Sequence, residues 1–250
     1  MRAYCTLVRR ELGTFFKSWM GYIVMAVTTL VLGGCFVLLL WVQNGKAETL
    51  PLTLLFYDTY FFWFILLVMP AVITMRSFAL EKSTGTYETL MTTPVGDAQV
   101  VLAKFTGGLL CFLLTWLPLL PCLLIARHYS SDASSFTTGT VAASSLGIAL
   151  FGCAYIAIGV FASAVTRSQI IAVIFGLAMG GALFCCIFLD AVFPTQGEGL
   201  GQLVAYLALT EHMRNFALGV VDLRPIVLCL SLTALFLLLT WKAVESRRWK

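Results

Sequence analysis

The chain has 250 residues, 60% of them hydrophobic and only 11% charged, with a mean hydropathy of +0.94 and a formal net charge of +4. A soluble domain carries about a quarter of its residues as charges, so this composition excludes a water-soluble globule and makes lipid the solvent. The basic excess is spread along the chain as a membrane-surface distribution, with no nucleic-acid footprint.

Residues 2 to 18 precede the first long apolar run. On a helical wheel Leu7, Val8, Leu12, Phe15, Phe16 and Trp19 share one half. Arg9, Arg10, Gly13, Thr14 and Lys17 fill the other, and Glu11 is out of place. This reads as an amphipathic helix in the headgroup layer, its basic face toward anionic lipid. The alternative is a plain basic flank that fixes topology; the aromatic residues at helical spacing favour the helix.

Six runs approach or exceed spanning length: Gly21 to Val42, Tyr57 to Met75, Phe105 to Ala126, Gly139 to Val165, Ile170 to Leu189 and Pro225 to Trp241. A span needs about 20 mainly apolar residues, and a backbone without water must satisfy itself as a helix. No period-two alternation points to a barrel. The expectation is an all-α protein of six transmembrane helices in one domain covering residues 1 to 250. The first run is too long for a signal peptide and lacks a small-x-small cleavage site, so it is read as a permanent span.

With six spans both termini share a side. That side would hold twelve Lys and Arg residues, against four (Lys46, Arg127, Arg214 and Arg224) on the other. The bias makes both termini cytoplasmic. Between spans two and three, "EKSTGTYETLMTTPVG" (81 to 96) is polar and well punctuated. Gly85 can serve as N-cap, Glu88 favours the helix N-terminus, and Pro94 stops the helix. Tyr87, Leu90 and Met91 form an apolar ridge facing the cytoplasm, and Asp97 can cap the next helix. The ridge is either a docking helix for a cytoplasmic subunit or a headgroup-layer connector.

Spans four and five meet through "TRSQ" (166 to 169), a tight hairpin. In the fifth span Gly176 and Gly180 have small-x-x-x-small spacing, which permits close helix approach, either within the chain or against a second copy. The segment from Asp190 to Arg224 is external and oddly apolar. Thr210 can cap a turn beginning at Glu211, Gly219 can end it, and Met213, Phe216, Ala217 and Val220 share a face. It reads as two short outer-leaflet helices.

Chemistry-bearing motifs are missing. The chain has no G-x-x-x-x-G-K-[ST] phosphate loop, no G-x-S-x-G elbow and no H-E-x-x-H pair. Its histidines, His128 and His212, fall in external segments. All eight cysteines but Cys5 fall within spans with no C-x-x-C pair, which fits apolar packing. No acidic or basic residue lies near a span centre, which disfavours an ion-coupled carrier.

"RRELGTFFKSWMGYIV" (9 to 24), "MPAVITMRSFALEKSTGTYETLMTTPVGDAQVVLAKF" (69 to 105) and "EHMRNFALGVVDLRPIVLCLSLTALFLLLT" (211 to 240) resemble the ABC-2 type permeases. They are most similar to the gliding-motility-associated and copper-processing accessory subgroup. The resemblance implies a transmembrane permease subunit, an exporter without catalytic residues. It would work as a homodimer or heterodimer of permease chains in the bacterial cytoplasmic (inner) membrane, with two ATP-binding subunits. ATP and Mg would be held by those partners and no cofactor by this chain. Glu81, Gly85, Thr86, Glu88, Leu90 and Pro94 would belong to the coupling region that seats on the ATPase, joined by the Tyr87 and Met91 ridge. Leu80 stands where an acidic residue is common. His212, Arg214 and Phe216 would belong to the outer-leaflet helices at the exit of the pathway. A membrane anchor or motility component driven by a partner ATPase is the alternative.

Overall fold

An apolar segment inside lipid satisfies its backbone by forming a helix, and helix is what the apolar runs adopt. The computed structural model describes residues 2–42, 52–86, 96–129, 138–192 and 209–246. In chain order the helices are α1 (Arg2–Lys17), α2 (Trp19–Val42), α3 (Leu52–Tyr57), α4 (Tyr60–Thr74) and α5 (Ala79–Ser83). They continue with α6 (Asp97–Trp116), α7 (Leu119–Tyr129), α8 (Thr138–Val165), α9 (Gln169–Val192), α10 (Leu209–Ala217) and α11 (Leu223–Ser246). No strand occurs among the described residues.

Among the described residues five helical stretches are long and apolar enough to cross a membrane: Trp19–Val42, Tyr60–Ser83, Asp97–Leu123, Gly139–Val165 and Leu223–Ser246. The remaining expected span, the fifth, falls on α9, within which Gln169–Cys185 is a shorter apolar stretch. The second run divides differently from the expectation. α3 is a separate short helix, and the chain turns at Asp58 and Thr59 before α4 starts at Tyr60. The third helix starts well before its apolar run, at Asp97. Gly96 is the flanking residue, and its carbonyl accepts from Gln99 and Val100. Asp97 is therefore a first-turn residue favourable to the helix dipole rather than the cap. Pro118, which lacks an N–H, coincides with the break between α6 and α7.

The bundle is organised around α8. Its apolar window is 78% buried, against 22% for the α2 window and 28% for that of α11. α4, α6, α9, α10 and α11 all pack on it. Lipid tails are as apolar as Leu, so close packing replaces hydrophobic burial as the cohesive term. Glycines of α8 allow that closeness. A Cβ on Gly152 would lie 2.2 Å from the Phe112 ring, and one on Gly159 would lie 2.1 Å from Thr74 Oγ1. At the α3–α4 end of the bundle, Phe62 meets Tyr57, Trp63 and Trp116 edge-on, with ring centroids 5.0, 5.4 and 5.5 Å away.

α2 and α11 are the outer helices. α2 buries a single stripe, Gly21, Val24, Thr28, Leu32 and Phe36, at three- and four-residue spacing. Large apolar residues such as Ile23, Leu30 and Trp41 remain exposed on its other faces. The loop joining α8 to α9 is only Thr166 to Ser168, the tight hairpin expected from "TRSQ".

α1 is the amphipathic helix expected before the first span, and it packs on α6. Its apolar stripe packs along α6, with the Tyr4 hydroxyl donating to Thr106 Oγ1 at 3.0 Å. Glu11 belongs to the packed face: a Cβ on Gly107 of α6 would come within 2.9 Å of the Glu11 Cβ. Trp19 is not on that stripe. It opens α2 beyond the Ser18 elbow and is 85% exposed. Gly21 makes the elbow tight, since a Cβ there would meet the Phe15 carbonyl oxygen at 2.3 Å.

A candidate coupling site

Four charged side chains from three separate segments meet at the α1 end of the bundle. Lys104, on the second turn of α6, has a side chain only 2% exposed. Its Nζ lies 3.0 Å from Glu11 Oε1 of α1 and 2.9 Å from Glu81 Oε1 of α5. It also donates to the Ser77 carbonyl and sits 5.0 Å from the centre of the Phe78 ring. Of the ammonium's three donors, one goes to Glu11 and one to the Ser77 carbonyl, while Glu81 is held as an ion pair. Arg10 closes the cluster from the outside, with Nη2 2.9 Å from Glu81 Oε1 and 3.4 Å from Glu11 Oε1. Two carboxylates face two cations, so the cluster is neutral. Removing one member of such a set is strongly destabilising because it leaves a buried charge uncompensated.

α5 is also fastened to α8. The first N–H groups of a helix have no partner within it. In α5 the Phe78 and Ala79 amides donate to the hydroxyl of Ser163, each at 3.0 Å. That hydroxyl in turn donates to the Met75 carbonyl at 3.3 Å. A fully buried serine of another helix thus takes the capping role that α5 has no side chain to fill. At the other end, Lys82 Nζ donates to the Ala164 carbonyl in the last turn of α8. Five residues of helix are therefore tied to α1, α6 and α8 at once.

The chain leaves this anchored helix directly into the punctuated segment. Thr84 is the C-cap, and Gly85, with φ of +75°, is the left-handed residue that ends α5. Gly85 thus ends the preceding helix and also directly precedes Thr86, which is helical again, the position expected for an N-cap. Thr86 Oγ1 stands 3.0 Å from Thr84 Oγ1. Tyr87, Glu88, Leu90, Met91 and Pro94 lie outside the described residues.

Of the expected interface residues, Arg10 joins the cluster while Arg9 and Lys17 are exposed and outside it. Phe15 and Phe16 are half-buried and meet edge-to-face at 5.6 Å. Gly176 and Gly180 spend their close approach within the chain. A Cβ on Gly176 would touch Ala71 and Ala162, and one on Gly180 would press into Leu67 and Tyr155.

At the opposite end of the bundle, α10 starts at Leu209, so Thr210 is inside the helix rather than its cap. Gly219, with φ of +83°, ends it as expected; its amide donates to the Phe216 carbonyl and that of Val220 to the Asn215 carbonyl. Met213, Phe216 and Ala217 are buried, and His212 with them, while Arg214 is exposed. Val220 is 52% exposed and not part of the buried face. Phe216 and Met213 pack over Gly147 of α8. The second expected outer-leaflet helix falls outside the described residues.

The sequence matches the model of the ABC-2 family transporter proteins across residues 5–245. The chain belongs to the ABC-2 transporter family. Comparison with curated proteins gives no match. The match covers α1 through α11, so this ABC-2 transporter protein is a multi-pass membrane protein, and its family implies an ATP-binding partner. Sequence reasoning missed Lys104, Glu11 and Ser163 as parts of this cluster. Two signals were present: a carboxylate on the apolar face of α1, and a lysine within the apolar string "VVLAKF". Ser163 left no such signal, being one small residue in a helix of many.

Proposed function

We propose that this chain is the permease subunit of an ATP-binding-cassette exporter, working in pairs in the bacterial cytoplasmic membrane. Each copy crosses the bilayer six times, with α9 as the fifth span and both termini in the cytoplasm. A separate cytoplasmic subunit binds Mg and ATP and hydrolyses it; this chain supplies neither catalytic residue nor cofactor site. The gliding-motility-associated and copper-processing accessory permeases are the subgroup it belongs with.

The observation that carries this reading is the anchoring of α5. A rigid five-residue helix, ion-paired through Glu81 and capped by Ser163, leads straight into the segment from Tyr87 to Pro94. A push on that segment reaches α1 through Glu11 and Arg10, α6 through Lys104 and α8 through Ser163. ATP favours the closed pair of ATPases, and the permease responds only if that difference in affinity is transmitted through the contact. A loose loop would absorb the displacement; a clamped helix passes it to three others.

The test is co-purification. Removing Tyr87 to Met91 abolishes capture of the ATP-binding subunit while the chain still inserts in the membrane. Undiminished capture would refute the assignment of the coupling segment.

A further inference from the structure

Between α1, the start of α2, the end of α4 and α5 lies a cleft of about 490 Å³, within the size range of small-molecule sites. Its rim is polar, with Thr14, Thr84 and Thr86 exposed, and its floor is apolar, formed by Val24, Val72 and Ile73. Val72 precedes Arg76 by one helical turn, which sets the floor about 6 Å deeper along the bundle than the polar level. The cleft is therefore amphipathic along the axis of the spans.

Two of its lining side chains carry buried polar atoms with no hydrogen-bond partner: the Nε of Arg76 and the Oε2 of Glu81. One is a donor and the other an acceptor. They do not satisfy each other, since Arg76 makes no ion pair among the described residues and its one hydrogen bond is from Nη1 to Ser18 Oγ at 2.9 Å. Glu81 uses Oε1 for both of its cations, which leaves Oε2 over. In charge, Glu11 and Glu81 are matched by Arg10 and Lys104, so Arg76 is the uncompensated cation of the cleft. Buried polar groups are nearly always paired, and two opposite orphans on side chains that line one cleft call for a ligand that brings both complements.

We infer that this cleft binds a phosphoethanolamine headgroup, the phosphate on the Arg76 guanidinium and the primary ammonium on Glu81 Oε2, with an acyl chain over Val24, Val72 and Ile73. Guanidinium pairs well with phosphate oxygens, and a primary ammonium can donate to a carboxylate where a quaternary choline cannot. The apolar floor favours the lipid over the free headgroup. The inference is independent of ATPase docking, because the ligand would enter from the surrounding leaflet.

The experiment measures lipid bound to the purified full chain by native mass spectrometry. Mixed micelles carry phosphatidylethanolamine, phosphatidylcholine or phosphatidylglycerol, and soluble O-phosphoethanolamine serves as competitor. Phosphatidylethanolamine is expected to bind at least five-fold better than either other lipid. Arg76→Gln should remove the preference. Val72→Trp, which fills the floor and leaves every charge in place, should also remove it. Weak competition by O-phosphoethanolamine identifies the lipid as ligand; full competition with binding insensitive to Val72→Trp identifies the free headgroup. Equal binding of the ethanolamine and choline lipids, or an undiminished preference in Arg76→Gln, overturns the inference.

Discussion

Replacing Lys104 by Met keeps most of the side chain's volume and removes its charge. Glu11 and Glu81, which both approached its ammonium to 3.0 Å or less, are then left facing each other. Breaking a buried ion pair from one side destabilises by about 3–5 kcal/mol. Here Arg10 still touches both carboxylates, which keep 21% and 17% exposure, so the lower end, about 3 kcal/mol, is the expectation. For a chain of this size each kcal/mol moves Tm by about 2–4 °C, which gives a fall of about 6–12 °C. Thermal unfolding in detergent reads it. The triple variant Glu11→Gln, Glu81→Gln, Lys104→Met neutralises both carboxylates along with the lysine and should recover most of the loss, because no buried charge is left uncompensated and Arg10 is half exposed to water. A Lys104→Met protein as stable as the wild type, or a triple variant no better than the single one, would refute the reasoning.

Ser163→Ala strands the buried amides of Phe78 and Ala79; an unsatisfied group costs about 1–3 kcal/mol. A clear drop in Tm is expected, and an unchanged melting curve would mean that α5 finds its cap elsewhere. Gly21→Ala places a methyl against the Phe15 carbonyl, whereas Gly33→Ala meets nothing within 4 Å. The first should destabilise by about 1–3 kcal/mol and the second should be neutral or stabilising by about 0.5–1 kcal/mol. Equal melting temperatures for the two would contradict the tight elbow.

Much of the fold was legible because lipid narrows the choices. A run such as Gly139 to Val165 has to be a helix, and α8 occupies Thr138–Val165. Helix ends were less legible because they depend on capping partners that need not be nearby in sequence. α5 is capped by a serine more than eighty residues away, and Asp97 is passed over for Gly96. Gly85 was read only as an N-cap for the helix that follows it; its left-handed φ of +75°, which ends α5, depends on where α5 is anchored.

The site was half legible. Glu81 and Arg10 stood out as charges in expected coupling and interface elements, yet nothing in their spacing says they meet. The contact forms because α1 folds back along α6, a tertiary fact set by Gly107 and by the elbow at Gly21. Glu11 looked misplaced on a helix imagined against lipid; against Lys104 it is in place.

The central claim is that ATP binding by a partner subunit moves α5 as a lever. A single spin label at Thr84→Cys, in a chain with its reactive cysteines replaced and assembled with the ATP-binding subunit, reports the distance between the two copies' α5 helices. This distance is expected to shorten when ATP is added to a hydrolysis-deficient partner. Identical distance distributions with and without ATP would contradict it.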